Sequence, residues 1–116
     1  MPHQDPDFAD IYGVGVHVIP DAHNAPRRNV VVYPMSDYVI MLGRTSDRSE
    51  FKEASCLLSE VDNDCQLDRP GMFSERFKHS VPRHHFSNER DCEYYGTLKT
   101  DESERLRAFW DRLWAF

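Results

Sequence analysis

Two apolar, β-rich runs stand only four residues apart in this chain: Asn29 to Tyr33, built on Val30, Val31 and Val32, and Tyr38 to Gly43, built on Val39, Ile40, Met41 and Leu42. The spacer, Pro34-Met35-Ser36-Asp37, has the length and residue types of a four-residue hairpin loop. A hairpin over residues 29–34 and 37–43 is therefore the seed of the fold. Both runs are nearly continuous in apolar residues rather than alternating, which is the pattern of strands covered on both faces. The cover has to come from helices or from another subunit.

Other elements are arranged around that hairpin. Val14, Val16 and Val18 alternate with Gly13, Gly15 and His17, a period of two that predicts a strand within residues 11–19 whose glycine face admits a close neighbour. Tyr94, Tyr95, Thr97 and Leu98 predict a strand over 92–99, with Gly96 as its weak point. Ser46 or Asp47 is a candidate cap for a helix over 47–61, because Phe51, Ala54, Leu58 and Val61 recur at helical spacing. Pro70-Gly71 followed by Met72, Phe73 and Phe77 suggests a short optional helix over 71–79 that Pro82 closes off.

The clearest helix is the C-terminal one, over 101–115. Thr100 or Asp101 caps it, Glu104 can complete a capping box, and Leu106, Phe109, Trp110, Leu113 and Trp114 form its stripe. With Phe116 these side chains sweep an arc of roughly 160°, wider than the ~100° that one core-facing side needs. The excess is the signature either of an aromatic-rich core or of an interface. The fold class expected is thus α+β, an antiparallel sheet of three to five strands packed by two or three helices, with a C-terminal amphipathic, aromatic-rich helix. Residues 1–10, with two Pro and three Asp, read as a poorly ordered lead-in, and 11–116 as a single domain.

Charge and cysteine use narrow the setting. The 116 residues carry 14 Lys+Arg against 20 Asp+Glu, a formal net charge of −6. No apolar run approaches the roughly 20 residues of a membrane helix. The first residues lack the basic and apolar regions of a secretory signal, and the three cysteines are odd in number and far apart. A cytoplasmic protein with reduced thiols is expected.

The most unusual composition lies in 69–90, where five basic residues (Arg69, Arg76, Lys78, Arg83, Arg90) meet two acidic ones and are interleaved with His79, His84, His85, Phe73, Phe77 and Phe86. Such a mixture suits phosphate contact and base stacking. It also allows acid–base cleavage of RNA, with His79, His84 and His85 trading protons and Arg83 or Arg90 steadying the phosphorane, since imidazole titrates near neutrality. Tyr94 or Tyr95 would then position the phosphate. Against this, an acidic chain repels a polyanion outside the local patch, and pairing of the island with Glu60, Asp62, Asp64 and Asp68 is the plainer reading.

Other chemical signatures fail on spacing. His79, His84, His85 and Cys92 offer zinc donors, but H-x4-H-H-x6-C matches no paired-ligand pattern. The run Asp62-Asn63-Asp64 opens like a calcium loop, then places Leu67 where the turn needs Gly and Phe73 where a bidentate Glu is needed. Gly13-Val14-Gly15 starts a dinucleotide fingerprint that Val18 breaks. There is no P-loop, and no cysteine sits in a nucleophile motif. Neither a cofactor nor a metal is expected.

With no catalytic motif, the chain is expected to be a non-enzymatic acidic binding protein. It would act through a protein–protein interface as an inhibitor or neutraliser of a partner, in the manner of immunity, antitoxin or phage anti-defence proteins. The expected partner-binding residues are Phe109, Trp110, Leu113, Trp114 and Phe116, which would also serve a homodimer, and the acidic Asp62, Asp64 and Asp68, with Glu102 and Glu104 as further acidic candidates. The alternative is a small RNA-binding or RNA-cleaving domain using 69–90. No membrane contact is expected.

Overall fold

In a computed structural model that describes residues 5–15, 17–19 and 27–114, the chain forms a six-stranded antiparallel sheet. The strands are β1 (Asp10–Val14), β2 (Arg27–Pro34), β3 (Tyr38–Thr45), β4 (Cys56–Ser59), β5 (Gly71–Pro82) and β6 (Cys92–Thr97), and one helix follows, α1 (Thr100–Trp114). The order across the sheet is β4-β5-β3-β2-β1-β6. The predicted hairpin is its centre: Val30 lies opposite Leu42, Val31 opposite Met41 and Pro34 opposite Val39.

Both faces of that hairpin are buried, by different means. On one face Ile11, Val30, Val32, Leu42 and Phe73 pack under Leu106, Phe109 and Trp110 of α1. On the other, Tyr12, Val14, Val31, Val39, Met41 and Val81 pack with Phe86 and Cys92. Phe86 comes from a short 3-10 turn, Arg83–Ser87, and Ile19 from a turn in which the Val18 and Ile19 N–H groups donate to the Gly15 carbonyl. Val31 and its neighbours Val30 and Val32 are all sealed from solvent, which is why the run shows no alternation.

The sequence suggests a sheet packed by two or three helices; among the described residues the chain instead forms a six-strand sheet with a single α-helix and two 3-10 turns. The segment 47–61 is not a helix. Asp47 accepts the Ser49 N–H through Oδ1, a local turn that competes with helix initiation, and Phe51 and Ala54 are exposed. Leu57 and Leu58 enter the ladder opposite Phe73 and Met72 as β4. The segment 71–79 is likewise strand, and Pro82 ends a strand rather than a helix. Its Met72, Phe73, Phe77 spacing looked helical because β5 carries an irregularity: between Ser74, opposite Gly43, and Lys78, opposite Leu42, the register shifts. Extra residues in a bulge break the period of two that marks a strand.

The predicted strand over 11–19 ends at Val14, with the turn from Gly15 beyond it, and Val16 lies outside the described residues. The strand over 92–99 is observed as Cys92–Thr97 and the helix over 101–115 as Thr100–Trp114. Asp101 and Glu102 lie in the first turn of α1, where acidic groups oppose the helix dipole favourably. In the lead-in, residues 1–4 lie outside the described residues. Ala9 is in the core, its N–H donating to the Val31 carbonyl and its carbonyl accepting from Leu98.

Candidate functional site

Among the described residues, polar and reactive side chains from segments far apart in the chain gather at several places, two of which bear on function. The first lies where the Gly15 turn, the Arg83–Ser87 turn and the start of β6 meet. Asp91 accepts from His85 Nδ1 at 2.8 Å through Oδ2 and from His17 Nε2 at 2.5 Å through Oδ1. These hydrogen bonds, His85 first and His17 second, hold the Asp91 carboxyl below the usual carboxylate range. The ionised carboxylate can only accept, so His85 Nδ1 carries the hydrogen of that bond. The His84 ring lies 4.2 Å from that of His85, centroid to centroid, tilted by 36°.

The basic island that carried these histidines is spread along β5 and its following turn rather than gathered into one patch. Arg83 Nε donates to the Met35 carbonyl at 2.9 Å, which pins the turn to the β2–β3 loop. Arg76 pairs with Glu50. His79 sits on β5 opposite Met41, and Arg90 is exposed, with its N–H donating to Asn88 Oδ1. His84 and His85 are thus brought together with His17 and Asp91, two residues that composition alone did not select. No group of three or more His, Cys, Asp or Glu side chains among the described residues is placed to hold a metal ion.

The acidic and aromatic candidates are placed differently. Asp62 is buried: its Oδ1 accepts the Asp64 N–H at 3.2 Å, capping the 3-10 turn Asn63–Cys65, while Asp64 and Asp68 are exposed. Phe109 and Trp110 are buried against the chain's own sheet, and Leu113 is half-buried beside them. Trp114 ends α1; its side chain and Phe116 lie outside the described residues. Glu102 is engaged by Arg105 Nη1 at 2.9 Å, and Glu104 is exposed.

Cys65 and Cys92 are quiescent thiols. Cys56, Cys65 and Cys92 are free and buried. Burial, joined for Cys65 by Asp62, pushes Cys65 up to about 12, and burial likewise pushes Cys92 up to about 12. A thiol held protonated is a poor nucleophile and a poor metal ligand.

The second place is a groove of about 760 Å³ between the β3–β4 connection and β5. Phe51, Cys56, Met72 and Phe77 give it apolar surface, and Asp47, Glu50, Lys52 and Arg76 give it a rim of both signs. The volume lies in the range of ligand clefts. Arg76 lies with its guanidinium carbon 5.6 Å from the Phe77 ring centroid and reaches Glu50 across the groove. The sequence reading missed this site, since it assigned both walls to helices. The signal it carried was Phe51, an aromatic 40% exposed in a segment otherwise of serines and charges.

No family model matches this chain, and no curated protein resembles it. Function has to be read from the two sites themselves.

Proposed function

We propose that the protein is a non-enzymatic binding protein that acts through a protein–protein interface, as an inhibitor or neutraliser of its partner in the manner of immunity, antitoxin or phage anti-defence proteins. The observation that supports this reading is the groove over Phe51, Met72 and Phe77: it offers apolar surface for an anchoring side chain and a charged rim for selectivity, the ordinary anatomy of a recognition site. The interface is centred on the groove rather than on α1, because Phe109 and Trp110 are already spent on the chain's own core. The buried free thiols suit a reducing, cytoplasmic setting.

The test is capture by the tagged full chain from its native lysate, with and without nuclease, beside the Phe51→Lys variant. A stoichiometric protein that survives nuclease and is lost with Phe51→Lys supports the reading. Material lost on nuclease treatment, or capture indifferent to Phe51, overturns it.

A second reading is favoured by one observation, the convergence of His17, His84, His85 and Asp91. A small RNA-binding or RNA-cleaving domain would use His85 Nε2 as the proton acceptor, with Asp91 fixing the ring. It requires that His85→Ala and Asp91→Asn abolish cleavage or a low-salt mobility shift of RNA while the chain stays folded. Wild-type protein without either activity removes it.

A further inference from the structure

The groove opens onto a length of sheet edge, and the two together define what kind of partner fits. On its outer side β5 pairs with β4 only from Gly71 to Ser74. The Ser55 carbonyl, just before β4, then takes the Glu75 N–H at 2.9 Å, and no described strand lies beside β5 past that point. On the inner side the Arg83 N–H donates to the Asp37 carbonyl at 3.0 Å, with Val81 opposite Val39 and His79 opposite Met41. In an antiparallel ladder the bonded pairs alternate, so the odd-numbered residues turn their backbone to β3. The N–H and C=O groups of Lys78 and Ser80 therefore face outward. Pro82, which has no N–H, occupies the next outward position, where proline is tolerated on an edge strand.

The side chains beside this edge are mixed, with Lys78 as the exposed cation next to Ser80, and with Arg76 engaged by Glu50. Ser80 pairs with Ile40, which pairs with Tyr33, and Pro82 pairs with Tyr38. Cross-strand partners share a face, so a row runs from the edge to two tyrosines that are each 38% exposed. Arg76 and Lys78 flank the edge itself, in a chain whose net charge is −6. Two copies of this chain joined along β5 in the register centred on Lys78 would set that lysine against its own kind, which disfavours that pairing.

We propose that the Lys78–Ser80 edge of β5 binds an extended, acidic segment of a partner protein as an added strand, with an apolar side chain of that segment seated in the groove at Phe51 and Phe77. The proposal rests on the binding-protein reading and deepens it. Main-chain hydrogen bonds to Lys78 and Ser80 supply affinity, and the alternate side chains of the added strand supply specificity. Acidic residues opposite Lys78 select for the partner and against self-association.

The test uses the full chain and a displayed library of short random peptides, selected in parallel on wild type and on Lys78→Glu. Peptides enriched on wild type should be rich in Asp or Glu alternating with β-branched or aromatic residues, and should bind Lys78→Glu about tenfold or more weakly. The best of them should slow amide exchange at Lys78 and Ser80. Ser80→Pro, which removes one outward N–H, should weaken binding while Lys78→Glu guards against a folding artefact. No enrichment, or enrichment of peptides indifferent to Lys78→Glu, overturns the proposal. Peptides that depend on Phe51 but leave the Lys78 and Ser80 amides unprotected overturn the added strand while leaving the groove reading intact.

Discussion

Asp91 accepts hydrogen bonds from His17 and His85, residues 74 and 6 positions away in the chain, and so ties two turns to the start of β6. Replacing it with Asn keeps the shape and removes the charge-assisted bonds. Asp91→Asn is expected to cost about 1 kcal/mol, because His17 is exposed and that half of the network is screened. The sign with pH follows from the lowered carboxyl pKa. The stabilisation is present above the ordinary carboxyl value of about 3.9 and is lost as pH falls through the lowered native value. Thermal melts of both proteins should therefore differ at neutrality and converge in acid.

Phe109 and Trp110, two residues of the helix stripe, are packed in the chain's own core, and this gives a second prediction. Phe109 and Trp110 are 2% and 4% exposed against the sheet. Phe109→Ala should cost about 3–5 kcal/mol, the range for a large aromatic deleted from a packed core. Urea denaturation measures it. The pair Trp110→Ala and Trp114→Ala is expected to lose the folded circular-dichroism signal together with any assembly; retention of the spectrum with loss of oligomers would return the helix to an interface role.

These two sites show why the sequence was only partly legible. The apolar runs at 30–32 and 39–42 announced the hairpin because continuous burial on both faces leaves an uninterrupted apolar string. Strand β5 was hidden because the irregularity between Ser74 and Lys78 set Met72, Phe73 and Phe77 at spacings that a helix also produces. β4 was hidden because it is short and half-buried, and its neighbours Phe51 and Ala54 completed a false helical period. At the candidate sites, His84 and His85 stood out by composition, whereas His17 and Asp91 became visible only through contacts across the fold. For the groove the local signature was Phe51 alone, since its walls meet through the β4–β5 pairing.

Asp10 and Thr97 offer a third measurement. Asp10 is buried, its Oδ1 accepting from Thr97 Oγ1 at 2.6 Å and its Oδ2 from the Asp7 N–H at 2.9 Å. Thr97→Val keeps the volume and removes one donor to a buried carboxylate. The expected loss is about 1–3 kcal/mol, read as a shift in the urea midpoint without a change in slope. Thr97→Ser should recover most of it, because the hydroxyl is kept.

Gly96 has a backbone that side chains resist, with φ at +133°. A Cβ there would stand 2.7 Å from the Asp64 carbonyl oxygen and 3.1 Å from the Cys65 Cα. Gly96→Ala is therefore expected to destabilise by about 1–3 kcal/mol, from backbone strain and from the contact it forces on the Asn63–Cys65 turn. Amide exchange should quicken first at that turn and at β6. A variant as stable as wild type would show that the turn yields freely.

The buried thiols, together with buried Tyr12, weaken the fold in alkali. Cys65 and Cys92 are pushed up to about 12 by burial, with Asp62 adding to the effect at Cys65. Unfolded thiols ionise near 8.5, so the unfolded state gains ionisation that the native state refuses. The stability these groups contribute is complete below pH about 8.5 and declines as pH rises towards about 12. Cys65→Ala and Cys92→Ala should each flatten that decline while lowering stability at neutrality through the vacated volume. A thiol reagent should label native protein only at the rate of opening, rapid labelling of Cys65 at neutral pH being the result that contradicts its burial.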